Sequence, residues 1–141
     1  MQNAIETLVT SHPKIFKGKS PKVSPLVPVG WSKLLKILCK VLEEECTAST
    51  LAKLEIINIT RRLRCFLKVE YKLKGKVSPQ QAWTVRDKVF SVSHLCTYSC
   101  VVCGEYIGDS PKSISMILCE KHIHSALPAS LKMFRRRVAS A

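Results

Sequence analysis

Acidic residues are scarce in this chain: its 141 residues include ten Asp and Glu against 23 Lys and Arg, a formal net charge of +13. That shortage argues against two-metal catalysis, which needs clustered carboxylates. Long apolar runs are missing too. The longest, residues 34–42, is interrupted by Lys36 and Lys40 and falls well short of the roughly 18 residues a transmembrane helix needs. Pro13, Lys14, Lys17 and Lys19 break up the N-terminal region, so it holds no run of signal-peptide length. A cytoplasmic or nuclear location is therefore expected, not a secreted one. In that reducing setting, cysteine clusters bind metal more often than they form disulfides. There is no Ser/His/Asp order, no phosphate-cradling Gly loop and no pair of acids placed for proton transfer. Neither half of the zinc-deaminase signature, His-x-Glu with a later Pro-Cys-x-x-Cys, occurs. No enzymatic activity and no small-molecule substrate are expected.

What the chain does have is cysteine, at positions 39, 46, 65, 96, 100, 103 and 119. The odd number does not suit a closed disulfide framework. Four residues stand out by spacing: Cys100-x2-Cys103-x15-Cys119-x2-His122. Three thiolates and an imidazole make one closed tetrahedral Zn2+ site. Gly104 follows Cys103 and permits the tight turn that brings backbone amides toward thiolate sulfurs. Cys119 and His122 are three apart, which puts both on one face of a helix. Cys96 is the first reserve ligand, since Cys96-x3-Cys100 can replace the first pair, and His124 is the second. Glu105 and Glu120 are near enough in sequence for a catalytic role, but paired soft ligands point to a structural ion. The implied order is a knuckle, a short β-hairpin and a helix whose first turn closes the site. Over residues 96–134 this resembles a treble-clef zinc finger.

Around this motif the pattern is that of an α+β protein. Hydrophobic residues make up 46% of the chain, enough for a real core. Ile5, Leu8 and Val9 weakly signal a helix in residues 1–10, whereas residues 11–30, with Pro13, Pro21, Pro25 and Pro28, read as a flexible basic segment. Together, residues 1–30 form an expected N-terminal arm. A helix over 32–46 places Leu34, Leu35, Leu38, Val41 and Leu42 on one stripe, suited to the core or, alternatively, to a protein partner. Glu43, Glu44 and Glu45 oppose the macrodipole at its end, so that end should fray or pair with a basic neighbour. Residues 47–60 are ambiguous between helix and strand, and the sequon at Asn58 is incidental. From 63 to 74 every odd position is apolar, which predicts one amphipathic strand. Its buried face holds Leu63, Cys65, Leu67, Val69, Tyr71 and Leu73. Ser78, Pro79 and Gln81 form a helix start with a capping box, and that helix is expected to run to about Phe90 as scaffold. The expected division is an arm (1–30), an α+β core of one strand and two helices (31–93), a zinc finger (94–134) and a basic tail (135–141).

The cations form three groups. Arg62, Arg64, Lys68, Lys72 and Lys74 share the exposed strand face with Phe66, a stacking aromatic among charges. Arg135, Arg136 and Arg137 end the chain with planar forks suited to phosphate, or to nuclear import. The lysines of the arm are the third group. Nucleic acid, RNA over DNA, is the expected partner. Phosphate contacts carry no sequence information, so backbone or shape recognition is expected. A protein partner and an anionic membrane surface are the alternatives. In size, charge and its one finger the chain resembles the small, basic, cysteine-rich proteins of RNA viruses. That resemblance implies RNA binding and suppression of host RNA silencing.

Overall fold

Mixed helix and strand is what the sequence pattern demands, and it is what forms. The computed structural model describes residues 1–62, 66–108, 118–119 and 121–122. Their order is α1 (Gln2–Ser11), α2 (Pro13–Phe16), β1 (Lys22–Val23), a 3-10 turn (Val29–Trp31), α3 (Ser32–Glu45), α4 (Ala48–Lys53), β2 (Leu54–Arg62), β3 (Phe66–Leu73) and α5 (Pro79–Cys96). The sheet runs β1-β2-β3, with β1 parallel and β3 antiparallel to β2. Among the described residues no helix is long and apolar enough to cross a membrane.

The amphipathic strand is present as β3, with Leu67 and Val69 buried and Phe66 and Lys72 exposed. Its expected first residues, 63–65, lie outside the described residues, and so therefore do Leu63, Arg64 and Cys65. Arg62 belongs instead to β2, where it is the register partner of Phe66. The ambiguous stretch divides cleanly. Thr47 caps α4, its hydroxyl accepting from the Thr50 amide at 3.2 Å, and β2 follows directly. Ile57 has no partner on β3, because Ile56 pairs with Tyr71 and Asn58 with Glu70. That bulge shifts the phase, so Leu54, Ile56 and Ile59 all point inward despite unequal spacing.

Helix α3 forms where expected and buries Leu34, Leu35, Leu38, Cys39 and Leu42. The core therefore takes up the apolar stripe offered to a protein partner on residues 32–46. Its acidic end pairs with bases: Glu43 with His12 at 2.9 Å and Glu45 with Lys88 at 3.1 Å. Helix α5 is capped by Ser78, whose hydroxyl accepts from the Gln81 amide at 3.2 Å. Gln81 does not complete the box. Its carbonyl accepts from the Thr47 amide at 3.0 Å, tying α5 to the start of α4. The helix also continues past Phe90 to Cys96, so the expected boundary between residues 93 and 94 falls inside it.

The expected N-terminal arm is the largest departure. Helix α1 buries Ile5, Leu8 and Val9, α2 buries Ile15 and Phe16, and Val27 is buried beyond them. Lys17 turns the chain at φ 52 and donates to the carbonyls of Ala52 and Leu54 at 2.6 and 2.7 Å. One of the arm's lysines thus closes the end of α4, where a cation suits the orphan carbonyls. The prolines space out apolar anchors that have no regular period, which is why no periodicity marks them.

Candidate metal centre

Helix α5 ends at Cys96, and the chain then forms a narrow hairpin. The Ile107 amide donates to the Tyr98 carbonyl at 2.8 Å, and Ser99 bridges Tyr106. At its tip the Cys100 amide donates to Glu105, and the Gly104 amide to Cys100, both at 2.8 Å. Gly104 takes φ 74, a left-handed conformation that any Cβ would disfavour. The turn brings Cys100 and Cys103 together as the spacing required. Opposite them, the His122 amide donates to the Cys119 carbonyl at 3.0 Å.

The four ligand atoms of Cys100, Cys103, Cys119 and His122 lie within 4.8 Å of one another. Sγ of Cys103 and Sγ of Cys119 are 3.6 Å apart, and Sγ of Cys100 is 3.6 Å from Nδ1 of His122. A tetrahedron with metal–sulfur bonds of about 2.3 Å and metal–nitrogen bonds of about 2.0–2.1 Å has S···S edges of about 3.8 Å and S···N edges of about 3.6 Å. Two edges therefore already match. The third, Cys119 Sγ to His122 Nδ1 at 3.0 Å, needs to open by about half an ångström by the same geometry.

The electrostatics also fit a cation. Burial opposes ionisation of Cys100, but amides of Cys119, Cys103 and Val102 aimed at its sulfur outweigh it and bring the thiol down to about 6. Burial, reinforced by the neighbouring sulfurs of Cys103 and Cys100, pushes Cys119 up to about 11. The backbone thus favours a thiolate at Cys100, while burial first and the neighbouring sulfurs second disfavour one at Cys119. A bound cation removes that conflict, because it attracts every thiolate in the cluster.

The first reserve ligand is not part of the group. Cys96 is fully buried in the main core, where burial pushes its thiol up to about 12. His124, the second reserve, lies outside the described residues. The expected helix after His122 does too, although residues 121 and 122 are helical. No family model, curated protein or solved structure matches this chain.

The knuckle is seated on the main body rather than on a tether. Gly30 donates its amide to the Val101 carbonyl at 2.9 Å. A Cβ on Gly30 would stand 2.7 Å from the Cys100 and Val101 backbone, and one on Gly104 would stand 2.3 Å from the Gly30 carbonyl oxygen. Two glycines thus let two backbones touch. Val101 packs against both the main core and the small cluster of Cys100, Leu118 and Cys119. Beside Gly30, Trp31 is fully buried with the Arg61 guanidinium over its ring, 5.8 Å from the centroid.

The expected basic strand face is thinner than its sequence. Lys68 pairs with Glu70 and Lys74 with Glu55, both at 2.5 Å. These lysines draw the Glu70 and Glu55 carboxyls below the ordinary carboxylate value. Phe66 is 46% exposed beside its register partner Arg62, which is also exposed, whereas Lys72 is exposed near the other end of β3. Arg64, Arg135, Arg136 and Arg137 lie outside the described residues. Sequence reading treated α5 as scaffold and overlooked its surface. Trp83 and Phe90, seven residues apart and hence on one helical stripe, are 65% and 69% exposed. That repeat was the available signal.

Proposed function

We infer that this is a zinc-stabilised nucleic-acid-binding protein that favours RNA. The observation that carries the metal half is the near-tetrahedral spacing of Cys100, Cys103, Cys119 and His122. Three thiols with one imidazole select zinc over harder cations, and the closed set leaves no open position for substrate. The ion's role is structural: it joins the knuckle to the turn at residues 119–122, in the order of a treble-clef finger. The nucleic-acid half is supported by the net charge of +13. Such a field attracts polyanions and accelerates their association. The likeness to small basic cysteine-rich proteins of RNA viruses extends this reading to silencing suppression by sequestering RNA.

Two measurements test it. Metal analysis of protein purified without chelators should find one zinc per chain. Fluorescence anisotropy with single- and double-stranded RNA and DNA should then show binding that weakens with salt. A slope of log K on log salt of about −3 to −5 corresponds to about four to six phosphate contacts. Replacing Arg135, Arg136 and Arg137 with Ala should flatten that slope by up to about 3 units. Absence of zinc defeats the metal half, and absence of binding at low salt defeats the nucleic-acid half.

A further inference from the structure

Between β3 and α5 lies an open groove of about 430 Å³, within the range of pockets that hold small organic ligands. Arg62, Phe66 and Lys68 line one side, and Arg86, Phe90 and His94 the other. No carboxylate is among its lining residues. Lys68 is engaged by Glu70, but among the described residues no ion pair engages Arg62 or Arg86. Arg62 is close enough to Glu70 to help hold its carboxyl down, yet both guanidinium groups are exposed at the groove, where their forks can meet an anion.

The aromatics extend beyond the groove as a row. His94 stacks on Phe90 at 6.3 Å with planes 12° apart, Tyr98 meets His94 edge-on at 5.3 Å, and Tyr106 lies 6.4 Å from Tyr98. Phe90 and Tyr106 are mostly exposed. The row leads from Phe90 in the groove along α5 to the hairpin that carries the knuckle. Exposed rings interleaved with guanidinium groups are what unpaired bases need: a flat apolar face for each base and a fork for the phosphate between. A duplex keeps its base faces stacked inside and cannot use the rings.

We propose that the groove between β3 and α5, with the aromatic row beyond it, is a binding site for single-stranded RNA. Bases stack on Phe66 and Phe90, and phosphates sit on Arg62 and Arg86. This rests on the nucleic-acid reading above and deepens it, assigning both the strandedness of the ligand and its location.

The test uses the zinc-loaded full chain, a labelled 12-nucleotide oligouridylate and an RNA duplex of the same length, across a salt series. Phe66→Ala and Phe90→Ala should each weaken oligouridylate binding by about 5- to 150-fold, with duplex affinity unchanged. Arg86→Gln should reduce the salt slope by about 1, while Lys40→Gln, outside the groove, leaves oligouridylate affinity nearly intact. Thermal unfolding checks each fold. If Phe90→Ala lowers the midpoint, Phe90→Leu, which keeps apolar bulk without a ring, decides. A native protein that binds neither probe at low salt overturns the general reading and this one together. Native binding that the groove variants leave unaltered overturns the groove alone and puts the RNA on another surface of the protein.

Discussion

Replacing Gly30 with Ala adds one methyl group where two backbones already touch. The new Cβ would lie 2.7 Å from the Cys100 carbonyl oxygen and from the carbonyl carbon and oxygen of Val101. Backbone cannot swing aside as a side-chain tip can, so the knuckle must lift. Overpacking of this kind costs about 1–3 kcal/mol, and loss of the Gly30 to Val101 hydrogen bond adds about 0.5–1.5 kcal/mol. The expected total is about 1.5–4.5 kcal/mol, a fall in thermal midpoint of about 5–15 °C for a chain this size. Since the displaced atoms belong to Cys100 and its neighbour, metal affinity should fall about ten- to a hundredfold, each tenfold being about 1.4 kcal/mol. Gly75→Ala is the control. Its φ of 82 is strained for alanine, but nothing lies within 4 Å of the added Cβ, so it should cost about 1–2 kcal/mol and leave metal affinity unchanged. Competition with a chromophoric chelator reads the affinity, and calorimetry the midpoint. A Gly30→Ala protein with native metal affinity and native midpoint would refute the docking of the knuckle on residue 30.

Other perturbations separate the core, the metal and the surface charges. Cys119→Ser should give up its metal to a chelator that the native protein withstands, and near-ultraviolet circular dichroism should then report loss of order around Tyr98 and Tyr106. Leu67→Ala removes a side chain that is only 2% exposed and should cost about 2–5 kcal/mol in urea unfolding; a cost below about 1 kcal/mol would mean β3 does not face the core. Glu70, held below the ordinary carboxylate value of 4.5 by Lys68 and by Asn58, contributes stability above that value. The contribution fades as pH falls through the lower folded value. Native protein and Glu70→Gln should therefore differ in urea midpoint at neutral pH and converge in acid.

The ligand set was legible because its information is local. Two residues between cysteines and two between cysteine and histidine dictate turns whatever surrounds them, and Cys100, Cys103, Cys119 and His122 come together accordingly. Helix α3 and strand β3 were legible for the same reason, since a stripe at helical spacing and an alternation of period two each describe one element against one apolar surface. Residues 63–65 continue that alternation without Gly, Pro, Asn or Asp, so nothing in the sequence marked Arg62 and Phe66 as ends of different strands.

The rest depended on contacts between distant residues. Ile15, Phe16 and Val27 have no common period, and only the presence of β2, α3 and α4 makes their burial favourable, which is why a proline-rich basic segment folds onto the core instead of trailing from it. Lys68 and Lys74 are cations in any sequence reading, but β-sheet register and neighbouring carboxylates decide that each is paired. Gly30 and Gly104 are unremarkable 74 residues apart, and become a single contact once Trp31 is anchored in the core. Composition and short spacing determined which four residues could share one ion and what sign of net charge the protein carries. Tertiary structure decided where the knuckle sits and that Lys68 and Lys74 are paired, because both depend on surfaces that exist only after distant segments have packed.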